Sequence, residues 1–396
     1  MDVDRRKFLR ESFSGTVAMA AAPMFVPGKA WGANDRLSFG LIGAGLRGRY
    51  LSQVCQAAGA RCAAVCDVYE PNLQLALKDS PEAKPYVEYR DLLAQKGLDF
   101  VVIATPDHQH CPNLLDALAA GYDVYLEKPM SHSLEESGKM VQAVRKSRKI
   151  VQIGMQRRSA GLTLKAKEVV DDGALGKITL ARTQWKWNAA GPLDNSPLRG
   201  KLDWKRFLGP APKRPFEPMC FRVWRSFWDY SGGNLTDQGT HLMDVIQWFT
   251  KSGTPSSATC TGRVAKMIGA EAPDVFCAVF DYPDCIATFT LNYCNDYQDH
   301  WSVEFQGDKG TLIIDDRSFT VYREPWKDHR EPVSRLDLRL ESESHVRNFL
   351  DCVKSRQEPN APVEVGASAV TAVHLANIAY RSGRVAKLSS DGTRAS

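Results

Sequence analysis

Short apolar runs alternate with stretches of helical character through the first 155 residues. The apolar runs cover residues 37–42, 61–66, 98–104, 123–126 and 150–154. Helical patterns fall between them at 49–54, 71–78, 89–95, 113–120 and 134–149. Continuously apolar strands that alternate with helices are typical of a parallel sheet covered on both faces. We therefore predict a doubly wound parallel sheet that binds its ligands at the carboxyl ends of the strands.

A different pattern follows residue 155. Helices are predicted at 164–171 and 235–249, and a first strand at 176–185. Short strands separated by turns then follow at 264–266, 275–282, 286–293, 301–306, 310–314 and 319–322. This pattern predicts an α/β domain on one large, mainly antiparallel open sheet, whose uncovered face would favour a homodimer or homotetramer. Terminal helices are predicted at 345–354 and 367–381, and we expect the last one to pack near the first domain.

The N-terminal segment has the features of an export signal. Arg5 and Arg6 are adjacent, Phe8 and Leu9 follow, and an apolar stretch of small residues covers 13–26. This order resembles a twin-arginine signal peptide. The apolar stretch is too short for a membrane span, so we expect no stable membrane insertion of the mature chain. The Tat translocon, which carries folded proteins, would place it in the periplasm or another extracytoplasmic space, with a cofactor loaded beforehand.

Length and composition set the remaining limits. The 396 residues suit a signal peptide at 1–33, a first domain at 34–155 and a second at 156–396. Apolar residues make up 43% and charged residues 24% of the chain, as in ordinary globular proteins. The net charge of +5 is small, and no basic run in the sequence suggests nucleic-acid binding. We therefore expect no nucleic-acid partner. The ten cysteines show no C-x-x-C spacing, which favours buried small hydrophobes over a metal site.

A glycine motif directly follows the first apolar run. Gly43, Gly45 and Gly48 have the G-x-G-x-x-G spacing. The first glycine permits a tight turn, the second lets a pyrophosphate approach the backbone, and the third lets the helix pack on the strand. Asp67 ends the second apolar run, where an acid can accept hydrogen bonds from ribose hydroxyls. Together these features favour a dinucleotide site over a glycine turn of some other α/β unit.

Four segments together resemble one enzyme family. They are the glycine motif, Ala104-Thr105-Pro106 with His110, Glu127-Lys128-Pro129, and the segment from Gly232 to His241. These look like the Gfo/Idh/MocA oxidoreductases, and the resemblance covers nearly the whole mature chain. It implies a Rossmann dinucleotide-binding domain at 34–155 and a substrate-binding and oligomerisation domain at 156–396. It also implies hydride transfer between nicotinamide and a carbon of a sugar or polyol.

Lys128, Asp237 and His241 are the predicted catalytic residues. Asp237 and His241 lie four residues apart on a predicted helix, so their side chains can touch. A neighbouring carboxylate would set the tautomer and basicity of His241, as a general base for an alcohol requires. Lys128 would orient the hydroxyl or take part in proton transfer. Lys128 could instead be a surface lysine before a turn, and His241 could be an exposed or structural histidine.

The predicted cofactor contacts all lie at strand ends. They are Gly43, Gly45, Leu46, Arg47, Gly48, Asp67, Thr105, Pro106, His110, Glu127, Lys128 and Gln156. His110 could instead cap or pack the helix after it. The predicted substrate contacts are Arg157, Trp187, Arg222, Arg225 and Trp228. Aromatic faces and arginines suit a hydroxyl-rich ring, although clustered tryptophans are as often found in the core between domains.

Three function classes remain open on the sequence. The first is an exported oxidoreductase that keeps NAD tightly bound and acts on a sugar, glycoside or polyol. The second is a redox-neutral glycosidase that oxidises, eliminates and reduces, but Thr236-Asp237-Gln238-Gly239 replaces the motif of the known glycosidase branch. The third is a non-catalytic sugar-binding protein, against which the set of Lys128, Asp237 and His241 argues.

We predict that NAD is bound in preference to NADP. Asp67 would repel a 2′-phosphate, and no arginine occurs in the next four residues to neutralise one. Changing Asp67→Ser together with Val68→Arg should relax the preference, as measured by titration with both reduced nucleotides. Release of NADP from the denatured wild-type protein would contradict this prediction.

Overall fold

The computed structural model describes residues 36–297, 300–390 and 392–396. The predicted signal peptide at 1–33 lies outside these residues. Among the described residues, no helix combines the length and apolarity needed to cross a membrane.

The first sheet has six parallel strands. They are β1 (Ser38–Ile42), β2 (Arg61–Cys66), β3 (Lys84–Tyr86), β4 (Phe100–Ile103), β5 (Asp123–Leu126) and β6 (Val151–Ile153). The spatial order is β3-β2-β1-β4-β5-β6, and every neighbouring pair is parallel. This is the Rossmann order, so the predicted doubly wound sheet is confirmed. The short edge strand β3 was not predicted, because three residues that include a proline give no strand pattern.

Five helices connect these strands. They are α1 (Leu46–Ala57), α2 (Glu70–Asp79), α3 (Tyr89–Leu93), α4 (His110–Ala119) and α5 (Leu134–Ser147). The start of α5 shows how sequence sets the bounds. The Ser133 hydroxyl accepts a hydrogen bond from the Glu136 amide, and the Glu136 carboxylate accepts one from the His132 amide. Such reciprocal capping satisfies amides that the first turn leaves free.

The second sheet has nine strands. They are β7 (Ile178–Lys186), β8 (Ser257–Arg263), β9 (Val275–Asp281), β10 (Ile286–Asn292), β11 (His300–Gly307), β12 (Gly310–Ile314), β13 (Ser318–Arg323), β14 (Ser334–Asp337) and β15 (Ala386–Lys387). Their order is β14-β13-β12-β11-β7-β10-β9-β8-β15. All pairs are antiparallel except β7 with β10, so the prediction of a mainly antiparallel sheet is confirmed.

The predicted strand at 264–266 was wrong. The strand lies at Ser257–Arg263 instead, where small and polar residues gave only a weak strand pattern. β14 and β15 were also missed, because both are short edge strands with few apolar residues.

Six further α-helices lie in the second half of the described chain. They are α6 (Gly161–Asp171), α7 (Trp204–Leu208), α8 (Pro218–Arg222), α9 (Gly233–Thr250), α10 (Glu343–Ser355) and α11 (Val363–Ser382). α9 and α11 pack against each other and bury side chains against the strands. α11 also contacts α5 and β6. The connection at 188–221, which the sequence predicts as a long binding loop rich in proline and glycine, contains α7 and most of α8.

α10 completes the core of the Rossmann sheet from the far end of the chain. The Phe349 ring lies edge-on to Phe100, with ring centroids 5.2 Å apart, and edge-on to Tyr125 at 5.7 Å. All three rings are buried. Because residues from both halves share this cluster, the first sheet depends on a helix about 250 residues later in the chain.

Phe349→Ala should destabilise the protein by about 3–5 kcal/mol, the usual cost of emptying a buried phenylalanine site. Urea denaturation measures the loss. Arg347→Ala is the matched control, since Arg347 is exposed on the same helix. Equal stability of the two variants would contradict the assignment of Phe349 to the Rossmann core.

Candidate active site

The glycine turn between β1 and α1 leaves room in one place only. At Gly43, whose φ is +90°, a Cβ would lie 2.7 Å from the backbone of Ala104. At Gly48 it would lie 1.9 Å from the Gly43 carbonyl oxygen. At Gly45 it would meet no described atom within 4 Å. Two glycines therefore pack the turn, and the third opens it towards a ligand.

The start of α1 adds free donors at this opening. Within the described part of the chain, no side chain caps this helix and its first turn carries no acid. The backbone amides and the helix dipole are thus available to an anion. Leu46 is 89% exposed at the same end. A pyrophosphate fits these features.

Asp67 lies at the end of β2 beside the turn. Its Oδ2 accepts a hydrogen bond from the Ala44 amide at 2.7 Å, and its Oδ1 accepts one from the Tyr69 amide at 2.8 Å. Burial raises the pKa of Asp67 to about 6, against the effect of these amides. The carboxylate is therefore ionised at neutral pH, and each oxygen can accept a further bond from a ribose hydroxyl.

His110 joins two strand ends instead of facing a ligand. Its Nδ1 lies 2.7 Å from the Pro129 carbonyl oxygen, and its Nε2 lies 2.9 Å from that of Thr105. Both ring nitrogens are thus occupied, and the side chain is buried. The cofactor-binding role predicted for His110 is not supported by this geometry. The imidazole ties the segment after β4 to the segment after β5.

Glu127 directly follows β5 and connects two segments of the site. Its carboxylate pairs with Arg47 at 2.8 Å and accepts a bond from the Lys128 amide at 3.2 Å. A Cβ at Gly154 would lie 2.9 Å from this carboxylate, so the glycine makes room for it. Glu127 thereby joins α1 to the segment that carries Lys128.

The carboxylate of Asp237 is paired with two cations. Lys128 Nζ lies 2.7 Å from both the Oδ1 and the backbone carbonyl oxygen of Asp237. Arg225 Nε lies 3.1 Å from the same Oδ1. Burial alone would raise the pKa of Asp237, but the charges of Arg225 and Lys128 lower it well below its usual range. The carboxylate therefore stays ionised across the working pH range.

Two side chains that were not predicted extend this cluster. Gln238 Nε2 donates to Asp237 Oδ2 at 3.2 Å and to the Tyr293 hydroxyl at 3.0 Å. Trp187, half-exposed, packs edge-on against Tyr293 with ring centroids 6.0 Å apart. The motif at 232–241 indicated the position of Gln238. Tyr293 had no local signal, because it follows a strand 55 residues later.

His241 is neutral and lacks a partner on one side. Among the described residues, nothing hydrogen-bonds its buried Nδ1. Burial lowers its pKa well below 6.5, and the charges of Lys128 and Arg157 lower it further. The predicted pairing of His241 with Asp237 is therefore corrected, since Asp237 pairs with Lys128 and Arg225. A buried polar atom without a partner is expected to receive one from a ligand or water.

Arg157 lies near enough to His241 for its charge to lower the pKa of the imidazole. It is buried, with its guanidinium carbon 3.6 Å from the ring centroid of Trp301 and 5.5 Å from that of Trp185. These two tryptophans face each other across β7 and β11. Burial lowers the pKa of Arg157 to about 9. Its Nη1 is buried with no hydrogen-bond partner among the described residues, so the substrate contact of Arg157 stays a prediction.

The remaining predicted residues lie in different surroundings from one another. Arg222 donates to the carbonyl oxygens of Asp194, Ser196 and Pro197, so it holds a loop in place. Trp228 packs near Tyr380, and its carbonyl oxygen receives a bond from His132. Neither belongs to the cluster around Asp237, but Arg222 lines the cavity described below, so their substrate contacts stay predictions. The side-chain Oε1 of Gln156 is buried with no described partner, which leaves it available to a ligand.

A cavity of about 730 Å³ connects the glycine turn with the second half of the chain. Its lining includes Gly43, Gly45, Asp67, Asn72, Thr105, Pro106, Asn113, Arg206, Pro210 and Trp224. Several of the predicted cofactor contacts lie on its first-domain side. The open glycine, the uncapped helix and the acid at the end of β2 all fit a dinucleotide.

The fold and site therefore define an oxidoreductase with an NAD-binding Rossmann domain. Two family models match the chain. One, described as an oxidoreductase family with an NAD-binding Rossmann fold, covers residues 37–155. The other, described as the C-terminal alpha/beta domain of the same oxidoreductase family, covers residues 142–395. The chain belongs to the Gfo/Idh/MocA oxidoreductase family.

Several known proteins are similar to this chain. Inositol 2-dehydrogenase of Salmonella paratyphi B is 31% identical over 145 residues, which are 36% of this chain and 43% of that protein. A glycosyl hydrolase family 109 protein of Shewanella baltica is 30% identical over 125 residues, 29% of this chain and 27% of that protein. These matches span less than half of either relative.

A solved structure shares the whole fold. Levoglucosan dehydrogenase, in complex with NADH and levoglucosan, is 16% identical. The match covers 89% of this chain and 99% of that chain, with a TM-score of 0.72.

Two glycine variants should separate cofactor binding from folding. Gly45→Ala should keep the fold, because the added methyl meets open space, but should weaken NADH binding at least tenfold by blocking the pyrophosphate. Gly48→Ala should lower the thermal midpoint, because its Cβ would clash with the Gly43 carbonyl oxygen. NADH fluorescence titration and thermal denaturation measure the two effects.

Gly138→Ala is the matched control for this pair. Gly138 lies within α5, and its Cβ would also meet open space. This variant should bind NADH normally and gain up to about 1 kcal/mol in stability. Normal NADH binding by Gly45→Ala would contradict the proposed pyrophosphate position.

Proposed function

We propose that this chain is an exported dehydrogenase that oxidises a secondary hydroxyl of a sugar, glycoside or polyol with tightly bound NAD. One observation carries the proposal. A buried, neutral histidine with an unpartnered Nδ1 lies near a lysine whose charge is held by a buried carboxylate. This arrangement supplies a proton acceptor and a fixed donor at the same place.

The residues of the chain divide the chemistry between binding and proton transfer. NAD, when bound, would supply the acceptor for the hydride that leaves the carbon carrying the hydroxyl. Gly45 and the start of α1 would hold its pyrophosphate, and Asp67 its ribose. His241 accepts the hydroxyl proton on its imidazole, which is free to do so because the ring is neutral.

Lys128 orients the reacting hydroxyl. Two of its three N–H donors are directed at Asp237, at the carboxylate and the backbone carbonyl oxygen. The third remains for the substrate oxygen. Because the ammonium is fixed by two bonds in a buried site, it needs little reorganisation as charge develops on that oxygen.

The side chains around the site can serve a substrate that carries hydroxyl groups. Lys128 and Arg225 share Asp237, and Arg158 pairs with the buried Asp244 at 2.7 Å. Arg157 lies over the rings of Trp301 and Trp185. Hydroxyl groups need only single donors and acceptors of this kind. The similarity to inositol 2-dehydrogenase and to levoglucosan dehydrogenase supports a sugar or polyol substrate.

Export and assembly are part of the proposal. The paired arginines near the N-terminus support passage through the Tat translocon and a periplasmic or other extracytoplasmic location. Free nicotinamide nucleotides are scarce there, so the protein would need to keep its cofactor through each cycle. The open face of the nine-stranded sheet, which exposes Val279 and Ile286, supports a homodimer or homotetramer.

A redox-neutral glycosidase is the second candidate, favoured by the similarity to a glycosyl hydrolase family 109 protein.

One experiment distinguishes the dehydrogenase from the glycosidase. The purified protein is denatured and its released nucleotide identified, and a panel of glycosides and polyols is screened by mass spectrometry. A keto product supports the dehydrogenase, and free aglycone with no net oxidation supports the glycosidase. Absence of both, with no bound nucleotide, would contradict the proposal.

His241→Ala should lower turnover by on the order of 10²- to 10⁴-fold, the span expected for loss of a general base. Bound nucleotide should remain, because His241 contributes no contact to the glycine turn. In the wild type, oxidation should rise with pH as the imidazole loses its proton. Since its pKa lies well below 6.5, this rise should be complete by about pH 6.5 and should be absent from the variant.

Asn348→Ala provides the control, because Asn348 lies on α10 and hydrogen-bonds Cys352 and Asn360. Near-normal turnover of His241→Ala with an unchanged pH profile would show that His241 is structural. Lys128 or a tyrosine would then have to be the base.

A further inference from the structure

A segment of the second half crosses the end of the Rossmann sheet. It comprises residues 199–210 and is called the cover segment below. Glu70 N donates to the Lys201 carbonyl oxygen at 2.9 Å, and Asp203 N donates to that of Val68 at 2.9 Å. These bonds join the cover segment to the residues that follow Asp67.

A second set of bonds anchors the other end of the cover segment. Gln109 Nε2 donates to the carbonyl oxygen of Phe207 at 2.9 Å and to that of Arg206 at 3.1 Å. Arg206 Nε lies 3.1 Å from a carboxylate oxygen of Glu88. The cover segment is therefore bonded to residues that follow β2, to Gln109 after β4 and to Glu88 just before α3.

An aromatic cluster makes the second anchor rigid. The Phe207 ring is stacked on Trp204 at 5.0 Å and lies edge-on to Tyr230 at 5.2 Å. Phe207 and Tyr230 are buried, and His108 packs on both. The cover segment is thus a packed part of the fold, and moving it would expose this cluster.

The cavity of about 730 Å³ lies between the cover segment and the Rossmann sheet. Gly45 and Asp67 line it on the side of the sheet, and Arg206, Gly209 and Pro210 line it on the side of the cover segment. A dinucleotide with its pyrophosphate at Gly45 and a ribose at Asp67 places its adenosine half here.

We propose that the cover segment is the outer wall of the adenosine pocket and slows release of the bound dinucleotide. The inference rests on the proposed function for the identity of the ligand. It goes further by assigning part of the cofactor site to residues outside 37–155, the range matched as the NAD-binding fold. Loosening of the bonds to Val68, Glu88 and Gln109 should therefore speed release of the ligand.

Release of NADH, chased with excess NAD and followed by nicotinamide fluorescence, tests this directly. Arg206→Ala removes the bond to Glu88 and should speed release by about tenfold, since affinity changes at one site fall mainly on the dissociation rate. Tyr69→Phe removes a hydroxyl that donates to the Arg199 carbonyl oxygen, outside the cavity lining. It should speed release by a smaller factor.

Tyr86→Phe is the matched control, because the Tyr86 hydroxyl bonds Gln95, away from the cover segment. Its release rate should equal that of the wild type. Release at the wild-type rate from both Arg206→Ala and Tyr69→Phe would overturn the proposal.

Trypsin gives a readout that does not depend on rates of release or turnover. The cover segment contains four cleavage sites, at Arg199, Lys201, Lys205 and Arg206. NAD should slow cleavage at these sites and leave cleavage at the exposed Arg335 unchanged. Binding of NAD without this protection would overturn the proposal that the cover segment is the wall of the adenosine pocket. It would leave the proposed function intact. A wild-type protein that binds no NAD at all would overturn both.

Discussion

The buried carboxylate of Asp237 is the interaction on which the site depends. An ionised group is costly to bury without partners, and here Lys128 and Arg225 supply two of them. Lys128 follows a strand of the first sheet, whereas Asp237 lies near the start of the long helix α9 of the second half. The same ion pair therefore fixes the Lys128 side chain and joins the two halves at the candidate active site.

This pairing also explains the state of His241. Burial of the imidazole disfavours its protonated form, and the positive charges of Lys128 and Arg157 disfavour that form further. The carboxylate that could have countered them is committed to Lys128 and Arg225. The histidine is thus kept neutral by its surroundings and not by a direct partner, which leaves its Nδ1 free for a ligand.

The sequence predicted the parts of this site that depend on local spacing. The glycine turn, Asp67, Lys128 and the helix that carries Asp237 and His241 all follow from motifs of ten residues or fewer. The partner of Asp237 did not, because helical spacing shows which side chains are neighbours and not which of them forms the stronger pair. Tyr293 was missed for another reason. Its contacts join residues far apart in sequence, and it carries no motif of its own.

His110 and Arg157 illustrate the same limit in the opposite direction. Both lie at strand ends, where ligands bind in such sheets, yet one ties two strand ends together and the other stacks on two tryptophans. Position at a strand end therefore identifies the neighbourhood of the site but not the use of each side chain. What decides the use is whether the polar atoms are already satisfied. Both ring nitrogens of His110 are occupied, so His110 belongs to the framework of the site. Arg157 Nη1 and His241 Nδ1, by contrast, are buried with no partner among the described residues. By that criterion Arg157 and His241 remain candidate ligand contacts.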